Sequence, residues 1–91
     1  MPVPRFDVLV FHPRFEDHQA EAGRRVVTTE EALAAWQGPR TIVRNRRRRK
    51  GSYLMIGSTG AGRDITVVLL ATAEPSTWLA YTAWDTKLSD Q

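Results

Sequence analysis

The sequence predicts one small α+β domain spanning residues 1–91, with elements in the order β-α-α-β-β-β. Three observations predict it: a first segment rich in Phe and Val, two successive helical patterns, and then strand patterns separated by turns rich in Gly, Pro and Ser. The economical arrangement is an antiparallel sheet, formed as a meander, with both helices packed on one face.

The first strand and first helix are predicted over residues 5–11 and 13–22. Pro13 suits the first helical position, and Gly23 stands where helices commonly end. The apolar stripe of this helix is thin. It holds Phe15 and Ala22, and His18 and Gln19 lie on the same face.

The second helix has a clear start and end. Thr28 and Glu31 have the spacing of a capping box, and Gly38 and Pro39 end the pattern. One face repeats at i, i+3, i+4 and i+7, and its members are Thr29, Ala32, Leu33 and Trp36. Leu33 and Trp36 are predicted to lie in the core.

The rest of the chain has the patterns of strands and turns. Residues 40–46 are a candidate strand, residues 47–51 a loop, and residues 52–57 a strand. Residues 63–73 are apolar on both faces, as in a central strand covered by helices. Residues 78–84 form the last strand, with Tyr81 on the face of Leu79 and Ala83, opposite Trp78, Ala80, Thr82 and Trp84.

The glycine-rich segment 57–62 resembles the start of a phosphate-binding P-loop. Such a loop continues with Lys and Ser or Thr and then a helix, whereas Arg63 and Asp64 follow here and a strand pattern comes next. A hairpin turn is therefore predicted.

The positive charge is concentrated in one segment. The 11 residues from Arg40 to Lys50 contain seven cations and no acid, whereas the other six Lys and Arg face 10 Asp and Glu. A field of this kind attracts polyanions, and arginine pairs with phosphate and stacks on bases. RNA is the predicted partner, although a solvated loop or an acidic protein partner fits the same pattern. The predicted nucleic-acid-binding residues are Arg44, Arg46, Arg47, Arg48, Arg49 and Lys50.

The chain offers little else for chemistry. His12 and His18 are the only histidines, and on one helix they are expected to point in different directions, so no metal site and no cofactor is predicted. Trp36 and Trp78 are predicted to lie in the core. Tyr81 and Trp84 are the better candidates for stacking on bases, although core packing is the favoured role for each of them taken singly. With no cysteine, and an apolar run from Val8 to Phe11 that is too short for a leader or a membrane span, a cytoplasmic protein with no membrane partner is expected.

Residues 53–84 carry a resemblance to a known family. An aliphatic strand ends at Ile56-Gly57, a turn ends at Gly62-Arg63, a hydrophobic strand runs from Ile65 to Leu70, and the last strand holds Tyr81-Thr82-Ala83. This pattern resembles the BrnT-like branch of the RelE/ParE superfamily of type II toxin–antitoxin systems. His18 and the start of the second helix, Glu30-Glu31-Ala32, resemble the family more weakly. Related chains often carry a further charged helix after the last strand, whereas only a short segment follows it here.

The resemblance implies a RelE-like microbial RNase fold and a toxin that cleaves RNA without a metal ion. It also implies a cognate antitoxin, often a ribbon-helix-helix DNA-binding protein, and an oligomer formed with that antitoxin. Its sharpest position, Arg63, is then the cation that stabilises the phosphate, although an ion pair with Asp85 fits Arg63 as well. His18 or His12 serves as base or acid, and Asp85 and Tyr81 are further catalytic candidates.

The function expected from the sequence is therefore a metal-independent endoribonuclease toxin. The alternative is a non-catalytic module of the same fold that binds nucleic acid or protein. A general base close to the cationic residues would separate the two.

Overall fold

The computed structural model describes residues 4–46 and 52–86. Five strands and two helices follow one another in these ranges: β1 (Val8–Phe11), α1 (Phe15–Glu21), α2 (Thr29–Gln37), β2 (Arg40–Arg44), β3 (Tyr53–Ser58), β4 (Asp64–Ala71) and β5 (Thr77–Asp85). The α+β class is confirmed. The predicted order β-α-α-β-β-β has three strands after the helices, whereas the structure has four. The additional strand is β2, which lies within the candidate strand segment 40–46.

The sheet is mixed rather than antiparallel, with the strand order β1-β5-β4-β3-β2. Strands β2 to β5 form the predicted antiparallel meander. Strand β1 instead lies beside β5 and runs parallel to it, with Val8 opposite Thr77 and Phe11 opposite Ala80. The two helices connect β1 to β2 at the opposite edge of the sheet. No local pattern reports this pairing between the first and last strands.

Strand β4 is central and buried on both faces, as its sequence predicts. Every residue from Ile65 to Leu69 is buried. Ile65, Val67 and Leu69 share one core with Phe15 of α1 and with the buried side of α2. Both helices therefore pack on the same face of the sheet.

Helix α2 begins at the predicted capping box. The Glu31 backbone N–H donates to the Thr28 hydroxyl, and the Thr28 N–H donates to the Glu31 carboxylate, both at 3.1 Å. The buried face consists of Ala32, Ala35 and Trp36. The prediction for Leu33 is wrong, since this side chain is 39% exposed.

Close contact between α2 and β3 explains which face of the helix is buried. A Cβ atom on Gly57 would lie 3.2 Å from Ala35 Cβ and 3.3 Å from the Ala35 carbonyl oxygen. The missing side chain of Gly57 thus lets the backbone of α2 approach the sheet at Ala35. Leu33 is then turned toward solvent.

Helix α1 is shorter than predicted. It begins at Phe15 because Arg14 has a non-helical backbone, and it ends before Gly23, whose φ of 72° suits glycine. Gln19 is fully buried and donates to the Phe15 and Val27 carbonyls, at 3.2 and 2.9 Å, while accepting from the Val27 N–H. This amide fixes the connection between the two helices.

The remaining turn and core predictions are confirmed. Residues 59–63 form the β3–β4 hairpin turn, with positive φ at Gly60 and Gly62, and a strand rather than a helix follows it. Trp36 and Trp78 are 6% and 5% exposed. Trp78 packs against Phe6 and Tyr53.

Candidate active site

Three rings from separate parts of the chain form one cluster, the histidine cluster, which consists of His12, His18 and Tyr81. The ring centroids lie 5.1 Å apart for the two histidines, 4.7 Å apart for His18 and Tyr81, and 5.3 Å apart for His12 and Tyr81. All three side chains are half-buried. They are therefore held in place by packing and still accessible to a ligand.

His12 belongs to the connection between β1 and α1. Its backbone N–H donates to the Ala80 carbonyl at 3.0 Å, one residue beyond the end of β1. Its Nδ1 atom accepts from the Arg14 backbone N–H at 3.0 Å. A histidine nitrogen that accepts a hydrogen bond carries no proton, so the proton of the neutral ring is on Nε2.

His18 has the opposite arrangement. It lies on α1, and its Nδ1 atom is 3.4 Å from the Tyr81 carbonyl oxygen. Because a carbonyl oxygen only accepts, Nδ1 carries the proton, and the Nε2 atom of the neutral ring has a free lone pair. The cluster thus combines a ring with a donating Nε2–H and a ring with a basic Nε2.

The expectation that the two histidines point in different directions is wrong. It assumed one helix through both residues, whereas α1 begins only at Phe15. His12 lies in the preceding turn, and this turn brings its ring back over His18.

A β-bulge in β5 orients Tyr81. Val68 pairs with Thr82 and Leu69 pairs with Ala80, so Tyr81 is an extra residue in β5 with no partner in β4. A bulge changes the alternation of side chains along a strand. The Tyr81 ring consequently contacts α1, and the predicted faces of β5 are wrong beyond the bulge, because Ala83 shares the core face with Ala80.

Arg63 lies in a different place, the half-buried ion-pair network. Its Nε donates to Asp85 at 2.5 Å, and one terminal nitrogen donates to both carboxylate oxygens of Glu31 at 2.9 and 3.0 Å. The guanidinium also donates to the carbonyls of Arg25 and Val26, both at 3.3 Å. Its side chain is 11% exposed. The ion pair with Asp85, one of the two roles considered from the sequence, is therefore present.

The network shifts the protonation of its members. Hydrogen bonding from Arg63 lowers the pKa of Asp85 in spite of burial. Burial alone would raise the pKa of Glu31, but hydrogen bonds from the Thr28 backbone and from Arg63 outweigh it and lower that pKa. Hydrogen bonding to Asp85, followed by Glu31, raises the pKa of Arg63. All three groups are thus held in their charged forms.

The structure separates the five catalytic candidates into two groups. Asp85 is four residues beyond Tyr81 on β5, a distance of about 13 Å along an extended strand. His12, His18 and Tyr81 are together, while Arg63 and Asp85 form the half-buried ion-pair network with Glu31. Glu31 is predicted as part of a capping box and not as a partner of Arg63, because no local pattern in the sequence indicates that contact.

Of the predicted RNA-binding residues, Arg44 and Arg46 are exposed at the end of β2. Arg44 shares one row across the sheet with Tyr53, Leu69 and Ala80, so it is three strand spacings, about 14 Å, from β5. Arg47, Arg48, Arg49 and Lys50 lie outside the described residues.

The described residues contain no candidate metal cluster and no candidate membrane span. Within residues 4–46 and 52–86, no three His, Asp or Glu side chains are close enough to hold a metal ion. In the same ranges, no helix is long and apolar enough to cross a membrane. Comparisons with protein-family models, with curated proteins and with solved structures found no match for this chain.

Proposed function

We propose that this protein is an endoribonuclease that cleaves RNA without a metal ion, and that it acts as the toxin of a toxin–antitoxin pair. The observation that carries the proposal is the histidine cluster, in which one imidazole presents a proton and the other a lone pair. Cleavage by the 2′-hydroxyl requires a base, stabilisation of the phosphate charge, and an acid for the leaving oxygen.

His18 is the proposed general base. Its Nε2 takes the proton of the 2′-hydroxyl as the 2′-oxygen attacks phosphorus. The hydrogen bond from Nδ1 to the Tyr81 carbonyl is compatible with both the neutral and the charged ring, so His18 keeps its orientation throughout the reaction.

His12 and Tyr81 complete the proposed reaction. The Nε2–H of His12 donates to a phosphoryl oxygen and stabilises its developing charge. The Tyr81 hydroxyl gives its proton to the 5′-oxygen as the bond from phosphorus to that oxygen breaks. The products are a 2′,3′-cyclic phosphate and a 5′-hydroxyl. Return of the proton from His18 to the Tyr81 phenolate restores both groups.

The basic segment is proposed to hold the RNA backbone. Arg44 and Arg46 are exposed, and Arg44 is level with the bulged part of β5. Contacts between arginine and phosphate fix the position of the strand but do not read its bases. Affinity should consequently fall steeply as salt increases, and replacing Arg44 and Arg46 by serine should reduce that salt dependence.

The antitoxin is the further partner in this proposal. The support is the family-like pattern of residues 53–84 together with the concentrated positive charge of residues 40–50. An inhibitor that brings acidic side chains to the basic segment would neutralise it and exclude RNA. Growth arrest on induced expression, relieved by co-expression of a neighbouring gene, would support the toxin role. Unimpaired growth with soluble, folded protein would contradict it.

The decisive biochemical test is cleavage of single-stranded RNA in excess EDTA. We expect activity with cyclic-phosphate ends and a loss of about 100- to 10,000-fold in His18→Ala. Tyr81→Phe should also be impaired, whereas the matched Tyr53→Phe, which changes a ring packed on Phe6 and Trp78, should cleave normally. Activity that requires a divalent ion, or that survives in His18→Ala, would refute this mechanism.

One observation favours the alternative of a non-catalytic binding module. The guanidinium of Arg63 is taken up by two carboxylates and two carbonyls, and Arg14, near His12, is paired with Asp17 and Glu21. Neither cation is free to contact a phosphate at the histidine cluster. Salt-dependent RNA binding without any cleavage would select this alternative.

A further inference from the structure

Arg24 and Trp84 form a second surface, here called the stacking pair. The Arg24 Cζ atom lies 5.3 Å from the centroid of the Trp84 ring. Trp84 is half-buried, and its Nε1 atom is enclosed with no hydrogen-bond partner among the described residues. With its polar edge inward, the indole exposes its apolar part beside the guanidinium.

The charge of Arg24 is not neutralised by any described acidic residue. Arg5, Arg14 and Arg63 each form an ion pair, whereas exposed Arg24 forms none within residues 4–46 and 52–86. An aromatic ring and a guanidinium plane are the two kinds of side-chain surface on which unpaired bases stack, and a free guanidinium also binds phosphate.

We propose that Arg24 and Trp84 form a nucleobase-binding subsite for single-stranded RNA. The base stacks on the exposed part of the indole, and the guanidinium covers the base or pairs with the adjoining phosphate. Because every base has an aromatic face, this subsite accepts all four bases and discriminates against a strand that lacks them.

Each residue of the stacking pair follows a residue of the histidine cluster along the chain. Trp84 is three residues beyond Tyr81 on β5, about 10 Å along the strand, and Arg24 follows the helix that carries His18. Strand β1 ends at Phe11 opposite Ala80, so no described strand covers that edge of β5 beyond Ala80. Base binding by the subsite does not depend on the proposed ribonuclease function. Only the assignment of the bound base to a nucleotide near the cleaved phosphate rests on that function.

Binding of an uncleavable RNA tests the subsite without relying on catalysis. The probe is a short 2′-O-methyl oligonucleotide, which lacks the attacking hydroxyl, compared with the same backbone without bases. The wild-type protein should prefer the strand with bases by about 5- to 150-fold. Both oligonucleotides carry the same phosphates. The ratio of their two affinities therefore removes the contribution of the basic segment.

The variants decide the outcome. Trp84→Leu should bring the ratio close to one, Trp84→Phe should keep most of it, and Arg24→Gln should lower it several-fold. Arg5→Gln, a change at another exposed arginine, should leave it unchanged. A wild-type ratio in both Trp84→Leu and Arg24→Gln overturns the subsite.

If circular dichroism shows that Trp84→Leu is unfolded, the exposed Arg24→Gln decides alone. Absence of cleavage with the base preference intact would refute the ribonuclease proposal and leave the subsite standing.

Discussion

Replacement of Arg63 by methionine distinguishes a structural cation from a catalytic one. Methionine keeps much of the apolar length of the side chain but removes every donor of the guanidinium. The carboxylates of Glu31 and Asp85 would lose their shared cation, and the carbonyls of Arg25 and Val26 would lose a donor. The change should therefore destabilise the fold at the point where the start of α2 meets β4 and β5.

The magnitude follows from the burial of the network. Breaking a buried ion pair by removing one partner costs about 3–5 kcal/mol. The side chains of Arg63, Glu31 and Asp85 are 11%, 31% and 18% exposed, so the two carboxylates recover part of their hydration. We expect the low end of that range, about 3 kcal/mol, which corresponds to a fall in Tm of about 12–24 °C for a domain of this size.

Thermal and urea unfolding, followed by circular dichroism, measure this effect. Arg5→Met is the matched control, because Arg5 pairs with Asp7 while its side chain is 77% exposed, and such a surface pair contributes about 1 kcal/mol or less. A Tm of Arg63→Met that equals that of the control would refute the structural role. Cleavage per folded molecule should match the wild type at a temperature where both are folded. A loss beyond tenfold would instead give Arg63 a part in catalysis.

Three further outcomes are expected for stability, each measured by urea unfolding. The folded-state pKa values of Glu31 and Asp85 are lowered, so their stabilisation should be complete above about pH 5 and should be lost as the pH falls below about 4; a pH-independent stability across this window would contradict the network. Gln19→Leu should cost about 2–4 kcal/mol, because the buried N–H and C=O of Val27 lose their partner, and a cost below 1 kcal/mol would show that water replaces the amide. Thr28→Ala should cost about 1 kcal/mol through loss of the helix cap, and an unchanged midpoint would mean that the cap contributes nothing.

The local features of the fold could be predicted from the sequence because each depends on neighbouring residues. The capping box at Thr28, the end of α1 before Gly23 and the hairpin turn at residues 59–63 all involve contacts within a few positions. The central position of β4 also follows from its own composition, since only a strand buried on both faces is apolar at every position.

The errors arose where distant residues decide the structure. The parallel pairing of β1 with β5 joins the two ends of the described chain, and the bulge at Tyr81 shows itself only in the register against β4. Leu33 fits the helical period as well as Ala35 does, and the choice between them depends on the close approach permitted by Gly57. The sequence names His12, His18 and Tyr81 one at a time, whereas their grouping depends on contacts between distant segments.

The pairing of β1 with β5 also affects when the site can form during synthesis. His18 precedes Tyr81 by 63 residues. At about 5–20 residues per second, a ribosome needs roughly 3–13 s to add the intervening chain. During that time the first strand has no partner, and neither the His12 backbone N–H nor the His18 ring has the β5 carbonyl group to which it donates. A nascent chain thus carries its histidines without a histidine cluster, and any activity that depends on the cluster begins only after the last strand has left the ribosome.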